Sequence, residues 1–211
     1  MNGPTGIPNT NDGGLRLGQA PLTLNCEQKP GRRENVEAIL GLITSLGMQR
    51  PNAEQEGFLR LRHKADEYQR FTDAGHVTVA SLGGRTVGFL LAFPWESGEL
   101  ALERQLVGAV SWTDRSCSNS DNPIYRKAIF IAEVGVDPAL ARKGIGRHLY
   151  AELVGRHPDA HLITTIMEEP LSNEASAAFH TSLGFVRVGF WETSEFFDLR
   201  PYRCGIYLRR P

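Results

Sequence analysis

The chain reads as a mixed α/β fold: a central β-sheet of about six to seven strands, with one parallel pair, flanked by about four helices. Three observations predict it. Strand-length apolar runs at residues 76–82, 86–93, 128–136, 161–167, 185–191 and 202–208 are bounded by turn signals. Gly83-Gly84 supplies the positive φ of a tight antiparallel hairpin between the first two runs. A helix-length segment joins 128–136 to 161–167, and such a crossover makes those two strands parallel.

Each element has its own reason. Residues 1–19 carry five glycines, two prolines and three asparagines with little apolar pattern, so a tail precedes a single domain over 20–211. Residues 22–27 form a first strand, broken by Pro30-Gly31. Val36, Ile39, Leu40, Ile43 and Leu46 make a helical stripe over 34–48, and a second helix is expected over 54–68. Residues 94–125 form a long insertion, partly structured around 100–110 and placed near the active site. Ile145, Leu149 and Leu153 repeat every four residues, widened by Tyr150 and Val154, until Gly155 and Pro158 end that helix. A last helix, 173–183, is closed by Gly184 before the final strands.

Composition excludes several classes. With 41% hydrophobic residues, 22% charged residues and a net charge of -1, the chain has no polyanion-binding field, so nucleic acid is not an expected partner. The longest apolar runs, 86–93 and 128–136, are too short to cross a bilayer and no signal-peptide pattern opens the chain, so a cytoplasmic protein without membrane contact is expected. Cys26, Cys117 and Cys204 are odd in number and far apart, which suggests free thiols. His157 and His161 are four apart, but Pro158 argues against a shared helical face; no metal is expected.

Two segments carry chemistry. Val134, Gly135 and Val136 end a strand, and Arg142-Lys143-Gly144-Ile145-Gly146-Arg147 turns into a helix. Amides at a helix start have no intrahelical partners and sit at the positive end of the dipole, so this turn can cradle a phosphate or pyrophosphate. The glycines allow close approach and three basic side chains add charge. It is neither a P-loop nor a dinucleotide fingerprint, since Leu149 stands where the latter needs a third glycine. Taken alone, the segment fits an ordinary strand-to-helix turn equally well. In the second segment, Ser172 or Asn173 can cap the 173–183 helix, Ala175, Phe179 and Leu183 share an apolar face, and Asn173, Ser176 or Ala177, and His180 lie along another. That face can line a ligand channel, or simply be solvated.

Together the two segments resemble the GNAT superfamily of acetyl-CoA-dependent N-acetyltransferases, over roughly residues 20–209. Ala141-Arg142-Lys143-Gly144-Ile145-Gly146 is similar to the family's Gln/Arg-x-x-Gly-x-Gly/Ala loop, and Phe179-His180-Thr181-Ser182-Leu183-Gly184-Phe185 to its Phe-Tyr-x-x-x-Gly-Phe helix end. Ala141 departs from the usual Gln/Arg, and His180 stands where many members carry Tyr.

The resemblance implies that acetyl-CoA lies between strands 128–136 and 161–167. Its contacts would come from Val134, Gly135, Val136, Arg142, Lys143, Gly144, Ile145, Gly146, Arg147, Asn173 and Ser176. An amine attacks the thioester directly, with an oxyanion donor near Val134 or Gly135. His180 is the candidate acid for the departing thiolate, its charged form favoured by the last helical turn. Glu133 is the candidate base, while Glu168 and Glu169 follow the second strand where a cationic amine would sit. The expected acceptor is a primary amine of a small molecule. The alternatives are a protein or peptide N-terminus, or a non-catalytic acyl-CoA sensor. A homodimer is compatible with the pattern. A Gly-x-Ser-x-Gly hydrolase elbow is absent from the sequence.

Overall fold

The computed structural model describes residues 24–28, 33–59, 63–118 and 123–211. The tail expected over 1–19 lies outside them. Eight strands form one sheet: β1 (Leu24–Gln28), β2 (Val77–Leu82), β3 (Arg85–Pro94), β4 (Ser111–Trp112), β5 (Ala128–Val136), β6 (His161–Glu169), β7 (Val186–Thr193) and β8 (Tyr202–Arg209). Their order is β1-β2-β3-β5-β6-β8-β7-β4, with β5 and β6 parallel and every other neighbour antiparallel. The eighth strand is the two-residue β4 inside the insertion, too short to leave a periodic signal.

Seven helices among the described residues are α1 (Arg33–Ser45), α2 (Ala53–Glu56), α3 (Ala65–Asp73), α4 (Ala101–Leu106), α5 (Pro123–Arg126), α6 (Ile145–Arg156) and α7 (Glu174–Ser182). Four of them, α1, α3, α6 and α7, have nine residues or more. The helix expected over 54–68 is instead the pair α2 and α3. Gly57 takes φ 81 and ends α2, and the Leu59 amide then donates to the Leu46 carbonyl, so the chain is held extended there.

The sheet divides two cores. On one face Val36, Ile39, Leu42 and Ile43 of α1 and Tyr68 and Phe71 of α3 pack on Val77, Val79, Phe89, Leu91 and Phe93. On the other, Ile145, Leu149, Tyr150 and Leu153 of α6 pack on Ala80, Leu90, Ile129, Ile131 and Leu162. Each of the valine, leucine, isoleucine and phenylalanine side chains among them contributes roughly 1.5–3 kcal/mol by burial. β2 is buried along its whole length, as a strand covered on both faces must be. The hairpin glycines hold φ 58 and 80, the expected left-handed pair.

Candidate active site

The parallel pair comes apart. β5 and β6 are paired only from Ala128 opposite His161 to Ile131 opposite Thr164. Beyond that rung β5 stays with β3 as far as Val136, and β6 stays with β8 as far as Glu169, leaving a wedge between them. The Thr164 hydroxyl donates to the Ile131 carbonyl at 2.9 Å, so the last paired rung is pinned. A bulge at Ala132 turns β5, since Leu91 faces Glu133 while Ala92 faces Ile131.

Which backbone groups face the wedge follows from ladder alternation. The Asp137 amide donates to the Val87 carbonyl at 2.9 Å. Antiparallel pairs alternate, so Gly135 and Glu133 also direct their amides and carbonyls at β3, and those of Val134 and Val136 point into the wedge. The Gly135 backbone, expected among the ligand contacts, is thus turned to β3. Its missing side chain has a packing reason: a Cβ there would lie 2.7 Å from Phe89 and 2.9 Å from Leu59.

The basic turn lies at the wedge's open end. After a turn of 3₁₀-helix at Pro138–Leu140, Arg142 adopts φ 63 and Gly144 φ 84. The hydrogen bonds of α6 begin with His148 donating to the Gly144 carbonyl, so the amides of Gly144, Ile145, Gly146 and Arg147 form a first turn ahead of the helix's own bonds. Arg142, Lys143 and Arg147 are exposed around it, and Arg147 is steadied by Ser182 of α7 at 3.0 Å. A Cβ on Gly146 would stand 2.8 Å from the Phe179 ring, so this glycine brings α6 and α7 together. Forward-facing amides, a positive-φ glycine and a strand edge open in the wedge suit a pyrophosphate followed by an extended amide-bearing arm.

Asn173 caps α7 by accepting from the Ser176 amide at 3.2 Å, and its Nδ2 donates to the Phe58 carbonyl at 2.9 Å. It thereby ties α7 to the loop after α2, leaving one N–H and one lone pair for a ligand. The Asn173, Ser176, His180 side is not solvated: His180 is 2% exposed and Asn173 8%. The His180 Nδ1–H donates to the Ser176 carbonyl at 2.7 Å, which makes Nε2 the acceptor for the Tyr150 hydroxyl at 2.5 Å. Burial pushes its pKa below the usual 6.5, with the hydrogen bond to Ser176 opposing. Desolvation thus works against the expected imidazolium. Phe185 folds back onto His180, 5.2 Å between centroids, after the Schellman turn at Gly184.

Glu133 is buried at 5% exposure on the α1/α3 face, and Tyr68 donates its hydroxyl to Oε2 at 2.7 Å. The His63 ring meets Tyr68 edge-on at 5.7 Å. The two carboxylates after β6 fare differently. Glu168 is bound by Arg187 at 2.7 and 2.9 Å and by Arg203 at 3.0 Å, so its charge is neutralised, contrary to the expected amine seat. Glu169 is exposed.

Sequence reasoning missed a cavity. The insertion packs over the β6-β8-β7 half of the sheet and leaves between them a cavity that is partly open to solvent. Trp95, Trp112, Tyr125, Phe130, Trp191, Phe196 and Tyr202 supply its aromatic wall. Two polar tips are bonded to backbone: the Tyr125 hydroxyl donates to the Cys117 carbonyl at 2.8 Å, and the Trp112 indole N–H to the Val107 carbonyl at 3.3 Å. Cys117 and Cys204, both free thiols, also line it. The signal present in the sequence was the length of 94–125 with its flanking tryptophans; nothing local shows that β7 and β8 complete the wall. Among the described residues no three His, Cys, Asp or Glu side chains are grouped to hold a metal, and no helix is long and apolar enough to cross a membrane.

Comparisons with known proteins fit this geometry. The model of the Acetyltransferase (GNAT) family matches residues 42–185. A [Ribosomal protein bS18]-alanine N-acetyltransferase of Salmonella typhimurium is 27% identical over 111 residues, spanning 49% of this chain and 75% of that protein. An N-acetyltransferase from Staphylococcus aureus superposes with a TM-score of 0.58 at 16% identity, covering 90% of this chain and 99% of the other. A ribosomal-protein-alanine N-acetyltransferase from Brucella melitensis gives 0.57 at 19%, covering 90% and 100%. The Salmonella typhimurium protein yncA, solved with its cofactor acetyl-CoA, gives 0.57 at 17%, covering 89% and 93%.

Proposed function

The chain belongs to the acetyltransferase (GNAT) family, whose members use acetyl-CoA, and from that premise we propose that its acceptor is the primary amine of a small molecule. The observation that carries this reading is the insertion. It is folded down on the sheet, with Leu100, Val107, Cys117 and Tyr125 buried, and it makes a walled cavity rather than an open trough for a chain.

The residues present fit acetyl-CoA. The amides of Gly144, Ile145, Gly146 and Arg147 would hold the pyrophosphate, helped by Arg142 and Lys143, while Val134 and Val136 would meet the arm in the wedge, with Asn173 and Ser176 beside it. When bound, acetyl-CoA supplies a thioester whose carbon–sulfur bond breaks as the amine nitrogen–carbon bond forms. Glu133 takes the proton the amine must shed, directly or through water, and Tyr68 holds the carboxylate in place. Exposure of 5% keeps that carboxylate from solvent, which strengthens its pull on a nearby cation. His180 has its Nδ1–H and Nε2 engaged, so it acts by holding α6 against α7 at the wedge; the departing sulfur, resembling a thiol of pKa about 8.5, is protonated from solvent.

A second reading is favoured by the curated relative named above, a ribosomal-protein-alanine N-acetyltransferase. It would give this chain a peptide N-terminus as acceptor. Thiol release from acetyl-CoA, measured across small primary amines and an alanine-initiated peptide, separates the two. Turnover of small amines at least tenfold faster at equal concentration supports the proposal, peptide preference replaces it, and acetyl-CoA binding without turnover of any amine leaves a sensor.

A further inference from the structure

We infer that the cavity under the insertion is the acceptor's seat and that the acceptor is an amine with an aromatic or branched apolar body. This rests on the small-molecule reading and names the class of molecule within it. Three observations lead there. The lining described is aromatic and aliphatic, with Glu103 as its single charged side chain, and the polar tips of Tyr125 and Trp112 are bonded to backbone carbonyls.

The cavity also meets the wedge. Thr165 lines it one residue beyond Thr164, which closes the last paired rung of β5 and β6, and Phe130 lines it from the neighbouring strand. An apolar body held there places its amine toward the point where the strands part.

Finally, the mouth is separate from the cofactor cradle. Trp95, Val107, Cys117 and Tyr125 belong to the core on the α1/α3 face, whereas the cradle leads into α6 on the opposite face. Among the described residues three large apolar side chains are exposed, Leu102, Val186 and Phe197. Two of these flank the cavity: Leu102 lines it at 41% exposure, and Phe197, at 63%, packs on the lining residue Phe196 at 4.6 Å. A second mouth on the face away from the cradle is what a second substrate requires. An acyl chain carried by the cofactor would need none.

The chain supplies its own reporter, since all three of its tryptophans, Trp95, Trp112 and Trp191, line the cavity. Intrinsic fluorescence is titrated with 2-phenylethylamine and with ethanolamine, and thiol release is followed with both and with a straight series of alkylamines. The expected result is a saturable fluorescence change with 2-phenylethylamine alone, and kcat/KM rising about fourfold per added methylene until the cavity is full. Val110→Phe, which fills the wall, abolishes the fluorescence change; Leu102→Glu at the exposed rim, a milder change, weakens it at least tenfold. In both variants the stabilisation by acetyl-CoA persists.

Failure of the inference is distinct from failure of the parent reading. Turnover of ethanolamine as fast as of 2-phenylethylamine, with no fluorescence change, overturns the seat while leaving small-amine acetylation standing. A preference for hexanoyl-CoA over acetyl-CoA that Val110→Phe removes also overturns it, by assigning the space to the acyl chain. No turnover of any small amine overturns both.

Discussion

The basic turn and the cavity of this sheet are built on opposite principles. The turn is one continuous stretch from Val134 to Arg147 that presents backbone: a strand edge, a positive-φ glycine and a first helical turn. The cavity is assembled from side chains of the insertion and of β5, β6, β7 and β8, drawn from residues as distant as Trp95 and Leu208. A short backbone device can be carried by one local stretch of sequence, whereas a cavity of this kind needs distant aromatic side chains to meet across the sheet; on the function proposed above, the first would hold the cofactor and the second would select the acceptor.

Glu133 sits between the two ends, and its removal should be the largest single effect. Glu133→Gln keeps an oxygen for the Tyr68 hydroxyl but cannot take a proton; kcat is expected to fall about 10²–10⁴-fold with little change in melting temperature. An unchanged kcat and pH profile would move the base elsewhere.

Packing tolerance should differ just as sharply. Gly135→Val drives a side chain into Phe89 and Leu59, so a loss of about 1–3 kcal/mol or more is expected in denaturant unfolding. Val110→Phe, directed into unfilled space, is expected to cost less, and equal losses would erase the contrast between the filled and unfilled halves.

Legibility followed the same division. The hairpin glycines, the β-α-β unit and the 142–147 turn were readable because each is a local device whose glycines and periodicity stand together in the sequence. The break between α2 and α3 was not, because residues 57–59 are set by bonds from Arg50 to the Gly57 carbonyl, from the Asn173 side chain to the Phe58 carbonyl and from the Leu59 amide to Leu46. The burial of His180 was not readable, since it depends on Tyr150, which lies 30 residues away on α6. The packing reason for Gly135 lies in Phe89 and Leu59, which only the folded core brings against it.

His180 sharpens the comparison further. His180→Phe leaves the Tyr150 hydroxyl buried without its acceptor, so a loss of about 1–3 kcal/mol in stability is expected, with kcat changed less than threefold. A large fall in kcat with an altered pH profile would return the acid role to it.

A smaller effect concerns pH. Burial lowers the pKa of His180 below 6.5, and those of His76, His157 and His161 in the same direction. Below pH 6.5 the unfolded chain therefore binds more protons than the folded one, and stability falls as pH drops toward the depressed values. The slope is at most about 1.4 kcal/mol per pH unit for His180 and less for the more exposed three. Thermal melts from pH 7.5 to 5 check this, and His180→Phe should flatten the curve.

Whether the backbone turn around Gly144 holds acetyl-CoA is read from thermal melting of the wild type and of Gly144→Val with and without the ligand. At a ligand concentration a hundred times Kd the wild type should gain about 2.7 kcal/mol, a shift of roughly 5–11 °C, while Gly144→Val, strained at φ 84, should gain almost nothing. An equal shift in both proteins, or none in the wild type, would mean that the turn does not hold the cofactor.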